Sequence, residues 1–187
     1  MAIWLTSDWH FNHQKEFIYQ ARGFDSPEEM NEKLISLYNS YIKPEDDVYV
    51  LGDLILGGAE RIEDGVHYIE RLNGHLHVIR GNHDSDKRWI AYHQLYPKIV
   101  ELENAKYMKY DKYHFYLSHY PSMTSNYDND KPLKQRIINL CGHTHTKNPF
   151  QDLQYGAYHV EVDAHCNCPI LLDDIIKDLK VYYNEFH

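Results

Sequence analysis

Several short apolar runs in this chain stop at side chains that bind metals, and that recurrence limits the folds open to it. The fullest case is Leu76-His77-Val78-Ile79-Arg80, which reads as a buried strand and runs into Gly81-Asn82-His83-Asp84. One loop thereby carries an amide oxygen, an imidazole and a carboxylate. Asp8-Trp9-His10, Gly52-Asp53, Ser118-His119 and Gly142-His143-Thr144-His145 have the same form. A fold that serves all of them must gather their strand ends at one place, and two metal ions would account for the gathering.

The order of elements suits this. Residues 3–7 form a short apolar strand that delivers Asp8 and His10. On an extended segment residues i and i+2 share a face, so these two can reach one ion; a surface turn is the other reading of that motif alone. Ser26-Pro27-Glu28-Glu29 starts a helix, with Ser26 as cap, Pro27 at the first helical position and Glu29 completing a capping box. Met30, Leu34, Leu37, Tyr38 and Tyr41 mark its apolar face. Residues 48–51 predict a second buried strand. Residues 59–72 predict a helix with Ile62, Val66 and Ile69 inward, stopped by Asn73-Gly74. The third strand follows. Strands alternating with helices, each strand ending in a polar cluster, make an α/β pattern whose ligands sit beyond the carboxyl ends of the strands.

After a helix over 86–96 the pattern changes to strands at 99–102, 106–110, 113–118 and 137–141, with Asp111-Lys112 as a tight turn. Residues 122–132 read as a polar loop near the site. Residues 158–162 alternate like a strand. A C-terminal amphipathic helix then points Leu172, Ile175, Ile176, Leu179 and Tyr183 inward.

At 187 residues the chain suits one domain over 1–187. Its net charge of −9 argues against duplex nucleic acid as a partner, because that affinity comes mainly from Lys and Arg on phosphates. The absence of a long apolar run, a signal peptide and a lipidation motif predicts no membrane partner. An odd number of cysteines, two of them in Cys166-Asn167-Cys168, is no disulfide framework and predicts a reducing, cytoplasmic setting. His165, Cys166 and Cys168 lack a fourth ligand and read as a loop. His75 and His77 read as packed or solvent-facing, and His13 as a loop residue.

Asp8, His10, Asp53, Asn82, His119, His143 and His145 supply enough donors for two ions, with Asp53 or Asp8 free to bridge. Imidazole with carboxylate suits Mn, Fe, Zn, Ni or Co better than Ca or Mg. Two such ions serve in-line displacement at phosphorus.

The ordered set Asp-x-His, Gly-Asp, Gly-Asn-His-Asp, His and Gly-His-x-His resembles the calcineurin-like metallophosphoesterase superfamily, in its small single-domain prokaryotic and phage members. The match runs from residue 8 to residue 145. The resemblance implies two mixed β-sheets packed as a sandwich and flanked by helices, a four-layer α/β fold. It implies two divalent transition-metal ions, manganese favoured. Asp8, His10 and His145 would bind the first ion, Asn82, His119 and His143 the second, and Asp53 would bridge them. His83 would face the substrate and protonate the leaving oxygen or stabilise charge in the transition state, unless it makes only a structural hydrogen bond. Asp84 would orient the loop or His83.

Many phosphatases of that superfamily continue the second motif as Gly-Asp-x-x-Asp-Arg-Gly. Here it reads Gly52-Asp53-Leu54-Ile55-Leu56-Gly57-Gly58, without the second Asp and the Arg. Arg22 is the candidate replacement phosphate clamp, with a salt bridge or helix-end contact as its other reading; Arg80 and Lys147 follow. The implied activity is hydrolysis of a small or nucleotide-like phosphodiester or phosphomonoester. The alternatives are a non-catalytic interaction scaffold of the same fold and a nuclease for short single strands. The 17 tyrosines read mostly as core and surface-edge residues, with Tyr120 and Tyr127, near His119, as candidates to stack on a nucleobase.

Overall fold

In the computed structural model, residues 1–57, 61–122 and 131–185 are described. A first sheet has the order β4-β3-β2-β1-β9. It is built from β1 (Ile3–Thr6), β2 (Asp47–Val50), β3 (His75–Ile79), β4 (Ile99–Glu103) and β9 (Ile170–Leu171). β1 to β4 pair parallel, and β9 adds antiparallel to β1. A second sheet, β5 (Lys106–Tyr110), β6 (Tyr113–Leu117), β7 (Ile137–Cys141) and β8 (Ala157–His159), is parallel except for the β5–β6 hairpin. Asp111 and Lys112 turn that hairpin with φ of 40° and 72°, the left-handed pair that suits a two-residue connection.

Alternation along the strands decides what each face covers. Val48, Val50, Leu76 and Val78 join a core with residues of α2 (Pro27–Tyr41), α3 (Ile62–Glu70) and α4 (Asp86–His93). Leu5, Leu51 and Ile79 point the other way, against Phe115, Leu117, Leu140 and Tyr158 of the second sheet. Leu172, Ile175, Ile176 and Leu179 of α5 (Leu172–Glu185) enter that second core, so the sandwich and its helices are as expected.

Local details differ. Ser26 caps α2 by accepting from the Glu29 N–H at 3.1 Å, but the Glu29 carboxylate reaches back to the N–H of Asp25, not of Ser26. Ile35 and Asn31 belong to the buried face, and Tyr41 is exposed. The expected strand over 158–162 is β8, ending at His159. From there the chain crosses to the first sheet, where Glu161 bridges Ser7. Unanticipated short elements include β9 and a one-turn helix, α1 (Glu16–Tyr19). Tyr127, most of the expected loop over 122–132 and the expected start of the second long helix at 59 lie outside the described residues.

Beyond the strand ends the loops continue to pair. Asp8 N, His10 N and Phe11 N donate to Gly52 O, Asp53 O and Leu54 O, each at 3.0 Å. Gly142 N donates to His119 O at 3.0 Å. Each sheet thus presents a pair of laced loops, and the two pairs meet at one seam.

Candidate metal centre

The seam is closed by Asp8. Its Oδ2 accepts from Ser7 Oγ at 2.6 Å in its own sheet and from His143 N at 2.9 Å in the other. That approach requires glycine at 142, because a Cβ there would sit 2.3 Å from Asp8 Oδ2. Gly81 is constrained in the same way, with a Cβ falling 2.2 Å from Asp53 Oδ1. The glycines of these motifs therefore set how closely the ligand loops approach.

Asp8 and His10 do converge, but not by the route expected from extended backbone. Asp8, His10, Asp53, His143 and His145 all have left-handed φ, between 51° and 76°. Asp and His tolerate that region better than most residues, and such backbone concentrates at functional sites.

Two donor groups result. In the first, His10 Nε2 lies 3.1 Å from His145 Nε2 and 3.7 Å from Asp8 Oδ1, with His145 Nε2 3.8 Å from the same oxygen. In the second, Asn82 Oδ1 lies 2.8 Å from His119 Nε2 and 2.9 Å from His143 Nδ1, and these nitrogens are 3.2 Å apart. Asp53 Oδ2 stands between the groups, 3.6 Å from His10 Nε2 and 3.6 Å from His119 Nε2. The structure therefore brings all seven sequence-predicted donors together.

The site fits cations. Asp8 Oδ1 is buried without a hydrogen-bond partner among the described residues, and imidazole nitrogens face each other in both groups. Burial, and then the nearby Asp8 and Asp84 carboxylates, push Asp53 up to about 7 against the opposing pull of His119. Burial would raise Asp8 as well, but His10, His119 and His145 hold it well below the usual carboxylate range. Burial also lowers His10 to about 4, despite Asp8 beside it. Protons satisfy this cluster poorly, and its mixed N and O donors suit transition metals.

Two ligands are oriented through their second nitrogen. His119 Nδ1 lies 2.8 Å from Leu51 O, which leaves Nε2 for the site. His145 Nδ1 lies 2.8 Å from Asp163 Oδ2. Burial opposes a proton on His145, yet Asp163 raises its pKa overall. Asp163 supports the candidate site and was missed by the sequence reading, although it follows the alternating run 158–162. Replacing Asp163 by Asn should weaken metal binding about 10–100-fold, read by competition with a chromophoric chelator.

Arg22 takes the second of its two readings, a salt bridge, and not the phosphate clamp. Its guanidinium donates to both oxygens of Asp163, at 3.0 and 2.7 Å, and to the carbonyls of Trp9 and Asp8. Its side chain is 1% exposed, so it supports the first donor group from behind and offers substrate no free fork. Lys147 Nζ donates to Ala21 O at 3.2 Å. Near His83 the cation is Arg88 of α4, also missed from sequence, which donates to His83 O and Gly57 O. It ties the shortened second motif to the third. Burial, then Arg88, lowers the His83 pKa.

Asp84 orients loops, not the His83 ring. One oxygen accepts from Asp53 N and Gly81 N at 2.8 Å each; the other accepts from Tyr92 Oη at 3.0 Å. Asp84→Ala would strand buried N–H groups at about 1–3 kcal/mol apiece, so a loss of roughly 3 kcal/mol in denaturant-derived stability is expected. His83 is exposed, with its N–H on Asp53 Oδ1 at 2.8 Å and its ring edge-on to His10 at 5.4 Å. A cleft of about 380 Å³ opens beside His119, lined in part by Arg80, Asn104, Tyr116 and Tyr120. Tyr120 is exposed and meets His119 and His143 edge-on.

The remaining candidates resolve simply. His77 bridges Asp47 and Glu101 at 3.0 and 2.9 Å and stacks on Tyr49. His165 Nε2 lies 2.9 Å from His159 O, and Cys141, Cys166 and Cys168 are free thiols. Among the described residues no helix is long and apolar enough to cross a membrane.

The family model for calcineurin-like phosphoesterase matches residues 1–183. The uncharacterized protein MJ1445 of Methanocaldococcus jannaschii is 34% identical over 181 residues, covering 94% of this chain and 89% of that protein. The gene 66 protein of Mycobacterium phage L5 is 24% identical over 180 residues, 86% of each chain. Among solved structures, AQ665 from Aquifex aeolicus, a protein of unknown function, superposes with a TM-score of 0.69 at 22% identity, covering 94% of this chain and 98% of that one.

Proposed function

The chain belongs to the calcineurin-like phosphoesterase family, and from that premise we propose that it hydrolyses a small or nucleotide-like phosphodiester or phosphomonoester with two divalent transition-metal ions, manganese foremost. One observation carries the reading: Asp53 Oδ2 is 3.6 Å from a donor nitrogen of each group, the position a bridging carboxylate needs. Asp8, His10 and His145 would hold one ion, Asn82, His119 and His143 the other, and Asp53 both. When bound, such a pair supplies a nucleophile near neutral pH and positive charge for the attacking and leaving oxygens of an in-line displacement.

The chain's own residues do the rest. The His83 N–H bond to Asp53 fixes its backbone, while its ring stays open to solvent beside His10. From there His83 protonates the leaving oxygen or steadies the charge on it. The cleft past His119 receives the leaving group, with the exposed Tyr120 ring at its edge; Arg80 contributes to its wall while its guanidinium donates to Asp84 O and Asp86.

The test strips the protein with chelator, then adds back Mn, Ni, Zn or Mg. Para-nitrophenyl phosphate and bis-para-nitrophenyl phosphate are the substrates. Metal-dependent turnover is expected, and the better substrate separates diesterase from monoesterase. No turnover with any metal, while two ions bind per chain, would remove the general esterase reading in favour of the scaffold.

A further inference from the structure

The chain carries a net charge of −9, yet the lining of one pocket of about 270 Å³ includes Lys134, Arg136 and Lys180 with Tyr113. These cations come from separate segments. Lys134 and Arg136 lie on the approach to β7, and Lys180 lies on α5. Lys134 and Lys180 both sit over the Tyr113 ring, 5.8 and 5.4 Å from its centroid. The Arg136 guanidinium lies 4.4 Å from the centroid of Tyr183, and its Nε donates to Lys131 O. Arg136 is only 5% exposed, and no carboxylate is paired with it among the described residues. Like charges gathered around a concavity focus a positive potential there, which attracts anions.

The pocket is far from the metal centre. Tyr113 begins β6 and His119 follows its end, a separation of about 20 Å at 3.3 Å per residue. Arg136 likewise precedes β7, whose other end delivers His143. A substrate phosphate at the metal centre cannot also be the ion that this pocket holds.

We infer that the pocket is a second anion site, for a small phosphate-bearing ligand of at least two negative charges, held by Lys134, Arg136 and Lys180 at the opposite end of β6 and β7 from the metals. Phosphate oxygens accept from both ammonium and guanidinium donors, and the tyrosine faces hold those donors in place. This site does not depend on the catalytic reading.

The test is a titration of the protein with pyrophosphate, followed by amide resonances, on protein as purified and again after chelator treatment. Resonances of Tyr113, residues 133–136 and residues 180–183 are expected to shift saturably in both samples. The double variant Lys134→Glu, Lys180→Glu changes exposed side chains and should fold normally by circular dichroism; it should lose the shifts. Lys134→Ala alone should weaken them by several-fold. Absence of shifts at the pocket, their persistence in the double variant, or shifts confined to His119, His143 and their neighbours would each overturn the assignment.

Discussion

Asp53→Asn is expected to abolish turnover of para-nitrophenyl substrates and to leave the chain with less than its full complement of bound metal. Removing a single preorganised donor from a charge-stabilising site costs about 10²–10³-fold. Asp53 serves both donor groups, so its loss should exceed about 10³-fold. The substitution keeps the shape of the side chain and the acceptor for His83 N–H. It also replaces a buried carboxylate that burial and its acidic neighbours already push up to about 7. The metal-free variant should therefore fold as well as the parent, and circular dichroism melting checks this. Retention of both ions and full activity by the Asp53→Asn protein would refute the bridging role.

His83→Ala is the complementary case. His83 contributes only its backbone to the ligand scaffold, and its ring points outward. Metal content should stay at the parental value while kcat falls about 10²–10⁴-fold, the range for losing a positioned acid or base. The loss should be smaller for bis-para-nitrophenyl phosphate than for an alkyl phosphodiester, because nitrophenolate leaves without much help from a proton. An equal loss on both substrates would assign His83 to charge stabilisation alone. Loss of metal would make it a structural residue.

These expectations rest on residues that were legible in the sequence for a local reason. Each ligand follows an apolar run, and side-chain type and strand end are both visible in a few consecutive letters. The strands themselves were legible for the same reason, since buried alternation needs only short windows. What escaped was non-local. Arg22 stood out as a cation near the first motif, but its role is set by Asp163, 141 positions later. The sequence reading left it between a substrate phosphate and a salt bridge; the fold aims it at a carboxylate and two carbonyls. Arg88 was passed over inside a helix, and only the fold brings it to Gly57 and His83. The convergence of Asp8 and His10 was foreseen for the wrong reason, because left-handed backbone at both residues leaves no trace in hydrophobic periodicity. β9, at two residues, is too short for any pattern to register.

The seam between the sheets has a mechanical consequence. One sheet contributes Asp8, His10, Asp53 and Asn82; the other contributes His119, His143 and His145. Metal at this position would act as a clasp, joining two layers whose shared interior is otherwise apolar. Opening the clasp with a chelator should let the carboxyl ends of β6 and β7 breathe, and their amides should exchange with deuterium faster while the far end of the sandwich stays closed. The catalytic centre and the fastener of the two layers would then be one and the same object, and supply of the metal would govern the lifetime of the protein as well as its chemistry.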